Sequence, residues 1–251
     1  MIAILSDIHA NLEALLAVIR DMAGRPITRI FFLGDIIGYG PNPVEVLEFL
    51  KKFEFCLMGN HDRAVLTGPP AKFNQVARAA VEWTRRRIHP AYVRFKFFRP
   101  WTYRKRLEWW RFLLSLKPIR KEGQYVFAHD HPLEPGSDKY VHKREEAQRV
   151  LDGMPDYRAF FVGHSHVPGI YTYEERIRPE EGVVYPLDRR MIVNVGAVGQ
   201  PRDRDPRACY VLLDERGVQF VRVAYDYEKT QRKIRQAGLP DLLSTRLEEG
   251  K

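Results

Sequence analysis

The stretch IAILSDIHANLEALLAVI, residues 2–19, decides the fold class of this chain. It opens with a short apolar run, Ile2 to Leu5, which is typical of a buried strand. One helical face follows, with apolar residues at the i, i+3, i+4, i+7 spacing: Leu12, Leu15, Leu16 and Ile19. A buried strand followed by an amphipathic helix is the first part of a β-α-β unit, so we expect a parallel sheet.

The same order continues through the first sixty residues. Ile30 to Leu33 is a second apolar run, and Phe53 to Met58 is a third. Between them, Asn42-Pro43-Val44-Glu45 offers an N-cap, a proline at the first helical position and a glutamate at the third, so a helix is predicted to start there. A β-α-β-α-β order places ligands at the carboxyl ends of the strands.

The rest of the chain predicts two helices and then a strand-rich region. Val76, Ala77 and Ala80 continue one helical face, and Leu107, Trp110 and Leu114 suggest another. The turn sequence Glu215-Arg216-Gly217 indicates a hairpin, so this half is predicted to be antiparallel or mixed. The predicted strands are Gln124 to Ala128, Ala159 to Val162, Gly169 to Tyr173, Met191 to Val195, Ala208 to Leu213 and Val218 to Ala224.

Length and composition fit one globular domain. The chain has 251 residues, of which 45% are hydrophobic and 29% charged. No apolar run is long enough to cross a membrane, and the run Met1–Leu5 is too short for a signal peptide. Cys56 and Cys209 lie in apolar stretches, which favours reduced thiols over disulfides. We expect a cytoplasmic protein with no membrane association.

Polar residues that can bind metal follow five successive predicted strands. Five of the eight histidines stand at these places. In chain order the residues are Asp7 and His9, then Asp35, then Asn60, His61 and Asp62, then His129, and finally His164 and His166. A single pair of this kind is more typical of a turn or of a buried, hydrogen-bonded histidine. Five such blocks in order favour a shared site.

The residue types favour a two-metal centre. Imidazole, carboxylate and amide ligands without thiolate suit Mn, Fe, Co, Ni or Zn. Asp7 and His9 are two residues apart, like His164 and His166, so extended backbone would project both members of each pair to one side. Two ions roughly 3.5 to 4 Å apart need a bridging carboxylate, and Asp35 is the candidate. The glycines before Asp35, Asn60 and His164 suit unusual backbone or close approach.

These blocks resemble the calcineurin-like metallophosphoesterase pattern. The matching segments are Asp7-Ile8-His9, Gly34-Asp35, Gly59-Asn60-His61-Asp62, His129 and Gly163-His164-Ser165-His166. The small bacterial and archaeal phosphodiesterase branch is similar also in DIHANLEAL, LGDIIGYGPNP and VGAVGQPRDRDPRACYVLLD. The resemblance covers nearly the whole chain except about residues 88 to 106.

The resemblance implies a four-layer α/β/β/α sandwich of two mixed sheets and a role for each matched residue. One metal would bind Asp7, His9, Asp35 and His166, and the other Asp35, Asn60, His129 and His164. A bridging hydroxide would attack phosphorus in line, with manganese favoured for activity. His61 would contact the phosphate or protonate the leaving oxygen, since an imidazole of pKa about 6.5 can donate a proton near neutral pH. Asp62 would orient His61.

Two positions depart from the family pattern. Ala10 and Asp130 stand where glycine is common. Asp130 would either hydrogen-bond a ligand histidine or be an exposed loop residue with left-handed backbone, and the plain loop is preferred. Arg202 and Asp203 would lie near the mouth of the site or simply form a turn, and the turn is preferred. His89, His131 and His142 are expected in loops or caps, without function.

A basic, aromatic-rich helical insertion is predicted at about residues 68–121 within one domain, 1–251. The segment from Lys72 to Lys121 carries a net charge of +13, whereas the whole chain carries +9. Within it, Tyr92 to Arg106 has no acidic residue. This stretch would form a lid or phosphate-steering wall, a nucleic-acid groove or a dimer surface. Alternatively, Phe95, Phe97 and Phe98 simply pack onto the enzyme.

The predicted function is hydrolysis of a phosphoester, and a phosphodiester or nucleotide-type substrate is the preferred class. A phosphomonoesterase or protein phosphatase is the first alternative. A metal-poor scaffold or a nucleic-acid-binding module on the same fold is the alternative of another class. A homo-oligomer is compatible with the sequence.

Overall fold

Twelve strands and eight α-helices are found in residues 1–50, 53–93 and 99–251, which the structure, a computed structural model, describes. The helices are α1 (Leu12–Ala23), α2 (Pro43–Leu50), α3 (Asn60–Thr67), α4 (Gln75–Ile88), α5 (Pro100–Ser115), α6 (Arg144–Gly153), α7 (Tyr227–Gln236) and α8 (Leu242–Glu249). The strands are β1 (Ile2–Leu5), β2 (Arg29–Phe32), β3 (Phe55–Cys56), β4 (Ile119–Glu122), β5 (Tyr125–Ala128), β6 (Ala159–Val162), β7 (Gly169–Tyr171), β8 (Arg176–Ile177), β9 (Val184–Tyr185), β10 (Met191–Asn194), β11 (Ala208–Asp214) and β12 (Gly217–Val223).

The strands form two mixed sheets. The first has the order β3-β2-β1-β11-β12-β9, with β1, β2 and β3 parallel and the other pairings antiparallel. The second has the order β4-β5-β6-β10-β7-β8, with β5, β6 and β10 parallel and the remaining pairings antiparallel. The carboxyl ends of β1, β2 and β3 therefore share one edge of their sheet, and those of β5 and β6 share one edge of the other.

Apolar side chains on both faces of each sheet build the four predicted layers. In β1, Ile4 packs between the sheets with Phe127 and Phe161, while Leu5 faces the other way, toward α1 and α2. Phe127 and Phe161 stack with ring centroids 5.2 Å apart. The outer face of the second sheet is covered by α6, through Val150 among others. The α/β/β/α sandwich is confirmed.

The helix and hairpin signals of the sequence are confirmed at several points. The Oδ1 atom of Asn11 accepts a hydrogen bond from the backbone N–H of Ala14, 3.2 Å away, and so caps α1. The second helix begins at Pro43, as predicted. Strands β11 and β12 form an antiparallel hairpin in which Asp214 pairs with Gly217. Among the described residues, no helix combines the length and the apolarity needed to span a membrane.

The helix that Leu107, Trp110 and Leu114 indicated is confirmed as α5, but one of these residues is exposed and one strand of this segment was missed. The buried face of α5 is formed by Trp109 and Leu113, whereas Leu114 is 60% exposed. A hydrogen bond helps to set which face of α5 is buried: the Trp109 Nε1–H donates to Glu48 Oε1 at 2.7 Å. The strand β4 was missed because its residues, Ile119 to Glu122, are mostly charged; it is a sheet edge, where charge is tolerated.

Part of the predicted basic stretch from Tyr92 to Arg106 lies outside the described residues. This applies to the packing proposed for Phe95, Phe97 and Phe98.

Candidate metal centre

All five strand-end blocks meet where the carboxyl ends of β1, β2, β3, β5 and β6 converge. The side chains that they contribute are buried, with exposed fractions from 0% for Asp7 to 7% for Asn60. Two groups of possible metal ligands result, each with its ligand atoms within 4.8 Å of one another, and Asp35 belongs to both.

The backbone that positions these residues is left-handed. Asp7, His9, Asp35, His164 and His166 have φ values of 55°, 49°, 58°, 64° and 59°. This conformation is uncommon for residues other than glycine and concentrates at functional sites. The members of each pair do converge, but the predicted reason, extended backbone, is wrong. They converge because the chain turns sharply just beyond each strand.

Close backbone approach explains two of the glycines in the motifs. A Cβ atom at Gly59 would lie 2.1 Å from Asp35 Oδ1, and one at Gly163 would lie 2.6 Å from Asp7 Oδ2. Any side chain at either position would displace a carboxylate of the centre. The predicted need for glycine before Asn60 and His164 is confirmed by these distances.

The first group consists of Asp7, His9, Asp35 and His166. His166 Nε2 lies 3.2 Å from Asp7 Oδ1 and 3.1 Å from His9 Nε2. His9 Nε2 also lies 3.5 Å from Asp35 Oδ2. The group coincides with the ligand set that the resemblance implies for one ion.

The second group consists of Asp35, His129 and His164, and Asn60 lies beside it. His129 Nε2 is 3.5 Å from Asp35 Oδ2 and 3.1 Å from Asn60 Oδ1. These are the four residues of the other implied ligand set, and the Asp35 carboxylate stands between the two groups.

Backbone carbonyls hold three of the imidazoles by their second ring nitrogen. His129 Nδ1 is 3.2 Å from the Leu33 carbonyl, and His166 Nδ1 is 2.6 Å from the Gln200 carbonyl. His164 Nε2 is 3.1 Å from the Asp138 carbonyl. Metal-binding histidines characteristically donate their other N–H in this way, which fixes the tautomer and the ring orientation.

The protonation states match those that metal binding needs at most positions. Burial lowers the pKa of His9 and His166, and it lowers that of His164 to about 4. Burial alone would raise the pKa values of Asp7 and Asp35, but the facing imidazoles hold both below their usual range. Neutral imidazoles beside ionised carboxylates are the forms that bind metal.

His129 is the exception in the protein alone. Burial would lower its pKa, but the charge of Asp35 and the hydrogen bond to that carboxylate raise it to about 10. A cation bound beside Asp35 would oppose this effect, so metal binding at His129 would release a proton.

Unpartnered buried atoms support the fit to metal ions. Asp7 Oδ1 is buried without a hydrogen-bond partner, and the imidazole nitrogens of His166 and His9 lie 3.2 and 3.7 Å from it. A buried carboxylate oxygen without a hydrogen bond is unfavourable, and a coordinated cation removes that penalty. With the donor types and their spacing, this indicates that the residues fit divalent metal ions.

His61 lies at the open side of the centre and is held mainly by aromatic packing. Its ring contacts those of Tyr39 and Phe73, with centroids 4.3 and 4.9 Å away, and its Nδ1 has no hydrogen-bond partner. Its backbone N–H donates to Asp35 Oδ1 at 2.8 Å. Burial lowers the pKa of His61 to about 4, so the imidazole is neutral near pH 7, contrary to the sequence-based expectation of a value near 6.5.

Asp62 does not orient His61, and that expectation needs correction. Its carboxylate accepts hydrogen bonds from the backbone N–H groups of Gly59, Asp35, Ile36 and Ile37, at 2.9 to 3.3 Å. Asp62 therefore holds the β2 loop against the start of α3 and fixes the left-handed backbone of Asp35.

Asp130 matches neither role that the sequence suggested. Asp130 is buried, with only 3% of its surface exposed, and its backbone is not left-handed. Its carboxylate accepts from the backbone N–H groups of Gly136 at 2.9 Å and of Asp138 at 2.7 Å. Because the Asp138 carbonyl contacts His164, Asp130 acts on the metal centre through the loop rather than through a direct bond.

A cavity of about 520 Å³ opens over the centre and contains residues that sequence reasoning missed. Tyr39 packs against the rings of His9 and His61, with centroids 4.6 and 4.3 Å away. Its place in the sequence between Gly38 and Gly40, just after Asp35, could have indicated a role in the site. The Tyr140 ring stacks on His164 with centroids 4.2 Å apart. Tyr140 and the basic lining residues Lys72 and Arg246 come from distant segments with no local motif.

Arg202 lines this cavity, so it lies at the mouth of the site and the preferred prediction of a simple turn is wrong for it. Its Nη2 is 3.4 Å from the Tyr39 hydroxyl. Asp203 instead pairs with Arg222.

The three histidines expected in loops or caps belong to neither group. His89 caps α4, and His131 and His142 lie in the segments around residues 131–143.

Comparison with known proteins identifies the family. A model of the calcineurin-like phosphoesterase superfamily domain matches residues 1–217. An uncharacterised protein of Methanocaldococcus jannaschii is 36% identical over 254 residues, which cover 98% of this chain and 97% of the relative.

Solved structures agree with this assignment. A metallophosphoesterase from Sphaerobacter thermophilus is 37% identical with a TM-score of 0.81, covering 100% of this chain and 98% of the other. A hypothetical protein from Pyrococcus horikoshii shares the fold, with a TM-score of 0.73 at 18% identity over 100% of this chain and 99% of the other. The chain belongs to the calcineurin-like phosphoesterase superfamily.

Proposed function

We propose that this protein hydrolyses phosphoesters with two divalent metal ions, and that phosphodiesters or nucleotide-type substrates are its preferred class. The observation that carries the proposal is the position of Asp35, whose carboxylate belongs to both groups of possible ligands. One shared carboxylate between two clusters is the arrangement that a pair of neighbouring ions requires.

The proposed ligands follow the two groups. One ion would be held by Asp7, His9, Asp35 and His166, and the other by Asp35, Asn60, His129 and His164. When bound, such a pair supplies a nucleophilic water of lowered pKa for in-line attack and neutralises charge on the phosphoryl oxygens. Manganese is proposed as the ion favoured for activity, and Fe, Co, Ni and Zn suit the same ligands.

His61 is proposed as the residue that acts on the substrate. Its buried imidazole faces the cavity beside Asp35, and aromatic neighbours fix its plane. A neutral imidazole retains one N–H, which can donate to a phosphoryl oxygen or to the leaving oxygen. Asp62 contributes by holding the Asp35 loop, so its role is positional.

The cavity has the charge that an anionic substrate needs. Arg202 and Arg246 line it, whereas the two lysines in its wall, Lys72 and Lys251, are paired with Asp138 and Glu249. Fixed cations around a concave site attract phosphate esters and raise their local concentration. These groups support phosphoester binding in general; the preference for diesters rests on the resemblance to the phosphodiesterase branch and on the basic insertion.

The insertion at about residues 68–121 is proposed as a wall or lid that steers phosphate toward the site. Lys72 and Phe73, at its start, line the cavity. A nucleic-acid groove and a dimer surface are the other roles open to it. Free Cys56 and Cys209 suit a reducing compartment, so we also propose a cytoplasmic location.

The test compares a model diester, bis-p-nitrophenyl phosphate, with the corresponding monoester on manganese-loaded protein. We expect metal-dependent turnover with the diester hydrolysed faster. Faster monoester turnover would favour a phosphomonoesterase or protein phosphatase, and no bound metal with no turnover would favour a scaffold.

A further inference from the structure

A second, larger groove lies beside the metal centre. Its volume is about 840 Å³. Val167 and Pro168, directly after the ligand candidate His166, form part of its wall. Five arginines line it: Arg176, Arg178, Arg202, Arg204 and Arg207.

Arg202 joins the groove to the metal centre, because it lines both cavities. Its guanidinium is held by the Tyr39 hydroxyl and by Gln200 Oε1, each 3.4 Å away. An anion bound at the centre and one bound in the groove could therefore both contact this side chain.

The acidic residues of the groove are already paired. Asp205 Oδ2 lies 2.7 Å from Arg207 Nη2, and Asp203 pairs with Arg222. These carboxylates are thus neutralised by their own partners and leave the other arginines available.

Three of the arginines lack such a partner. Within the part of the chain that the structure describes, Arg176, Arg178 and Arg204 form no ion pair with a carboxylate. All three are exposed, and the contact found for the Arg176 guanidinium is with the Tyr171 ring. Guanidinium groups that line one concavity and have no carboxylate partner are suited to bidentate phosphate recognition.

We propose that this groove binds a second phosphate group of the substrate, beyond the one that is hydrolysed. The proposal rests on the proposed function and narrows it to extended substrates, whose additional phosphates come from a nucleoside polyphosphate or an oligonucleotide. Arg202 contacts the substrate between the two positions, and Arg178 and Arg204 hold the distal phosphate.

The test measures binding directly on metal-stripped full-length protein, so that it does not depend on turnover. The probes are ATP and fluorescein-labelled pentathymidylate. The variants are Arg178→Glu and Arg204→Asn, since asparagine tolerates the φ of 69° at position 204. The control is Arg149→Glu, which changes an exposed arginine on α6 that lies outside the insertion and is not part of the groove wall.

We expect each groove variant to weaken binding of at least one probe, about tenfold for Arg178→Glu, and to make its salt dependence shallower by about one unit of slope. The probe that loses affinity identifies the source of the phosphate. Arg149→Glu should leave both affinities unchanged. Unchanged binding of both probes in Arg178→Glu and Arg204→Asn would overturn the proposal.

Model-diester kinetics separate this proposal from the proposed function. Bis-p-nitrophenyl phosphate has a single phosphate, so its KM should be the same in the groove variants and the wild type. Intact diester turnover with unaffected probe binding would remove the groove proposal alone. Weakened probe binding without turnover on any ester would support the groove and remove the proposed hydrolysis.

Discussion

Replacing Asp130 by asparagine should loosen the loop that holds His164. One carboxylate oxygen accepts from Gly136 N at 2.9 Å and the other from Asp138 N at 2.7 Å. Asparagine keeps one acceptor and turns the other into an N–H donor that faces a backbone N–H. The loss of one charge-assisted hydrogen bond at a buried carboxylate costs about 2 kcal/mol.

The same substitution should weaken one metal position more than the other. Asp138 contributes the carbonyl that fixes His164, so a displaced loop misorients one ligand of the second group. Loss of an outer support of this kind lowers metal affinity by about 10- to 100-fold. The group that contains His9 and His166 has no contact with this loop through Asp130, so its affinity should change little.

Urea unfolding of the metal-free protein measures the first effect, and calorimetric titration with Mn²⁺ measures the second. Asp156→Asn is the matched control, because Asp156 is an exposed loop carboxylate. Asp130→Asn should unfold at a lower urea concentration than this control. It should also bind one ion, the one held by the group that contains His164, less tightly than this control. If the two variants unfold together and titrate alike, the reasoning about the Asp130 loop is wrong.

Three further predictions concern the site and the stability of the fold. His61→Ala should fold and keep both ions, with a lower unfolding free energy because a buried ring is removed, but lose about a hundredfold or more in turnover; unimpaired turnover would remove His61 from the mechanism. Chelation of the ions should lower the melting temperature, since ligands bound only to the native state stabilise it by about 4 kcal/mol at a thousand times Kd, and an unchanged melting temperature would contradict this. Burial would raise the pKa of Asp21, but its hydrogen bonds with Arg25 and Tyr210 lower it. The stabilisation of the fold by ionised Asp21 is below about 1 kcal/mol after solvent screening. It should be present above the pKa of Asp21 in the unfolded chain and disappear as the pH falls through its pKa in the folded protein. Urea unfolding of wild type and Asp21→Asn at several pH values tests this, and a constant difference would refute it.

The parts of the fold that depend on local patterns could be predicted. Apolar runs such as Ile2 to Leu5 and periodic faces such as that of α1 are local signals, and the order of the polar blocks gave the edge at which they meet. The residues grouped around Asp35 follow from that order, because parallel strands bring their carboxyl ends together.

The parts of the fold and of the site that depend on tertiary contacts could not be predicted from the sequence. The left-handed backbone at Asp7 and His166 follows from hydrogen bonds such as Asp7 N to the Gly34 carbonyl, which join distant segments. The roles of Asp62 and Asp130 depend on which backbone N–H groups surround them, and adjacency in sequence pointed instead to histidine partners. The rotation of α5 depends on Glu48, about sixty residues from Trp109 in the chain.

The central claim is that Asp35 joins two metal sites, and the stoichiometry of metal binding tests it most directly. Metal-stripped protein is dialysed to equilibrium against Mn²⁺, and bound metal is measured by mass spectrometry for the wild type, His129→Ala and Asp35→Asn. The account predicts two ions per chain for the wild type, about one for His129→Ala and a loss at both positions for Asp35→Asn. One ion or none in the wild type, or two ions retained by Asp35→Asn, would contradict it.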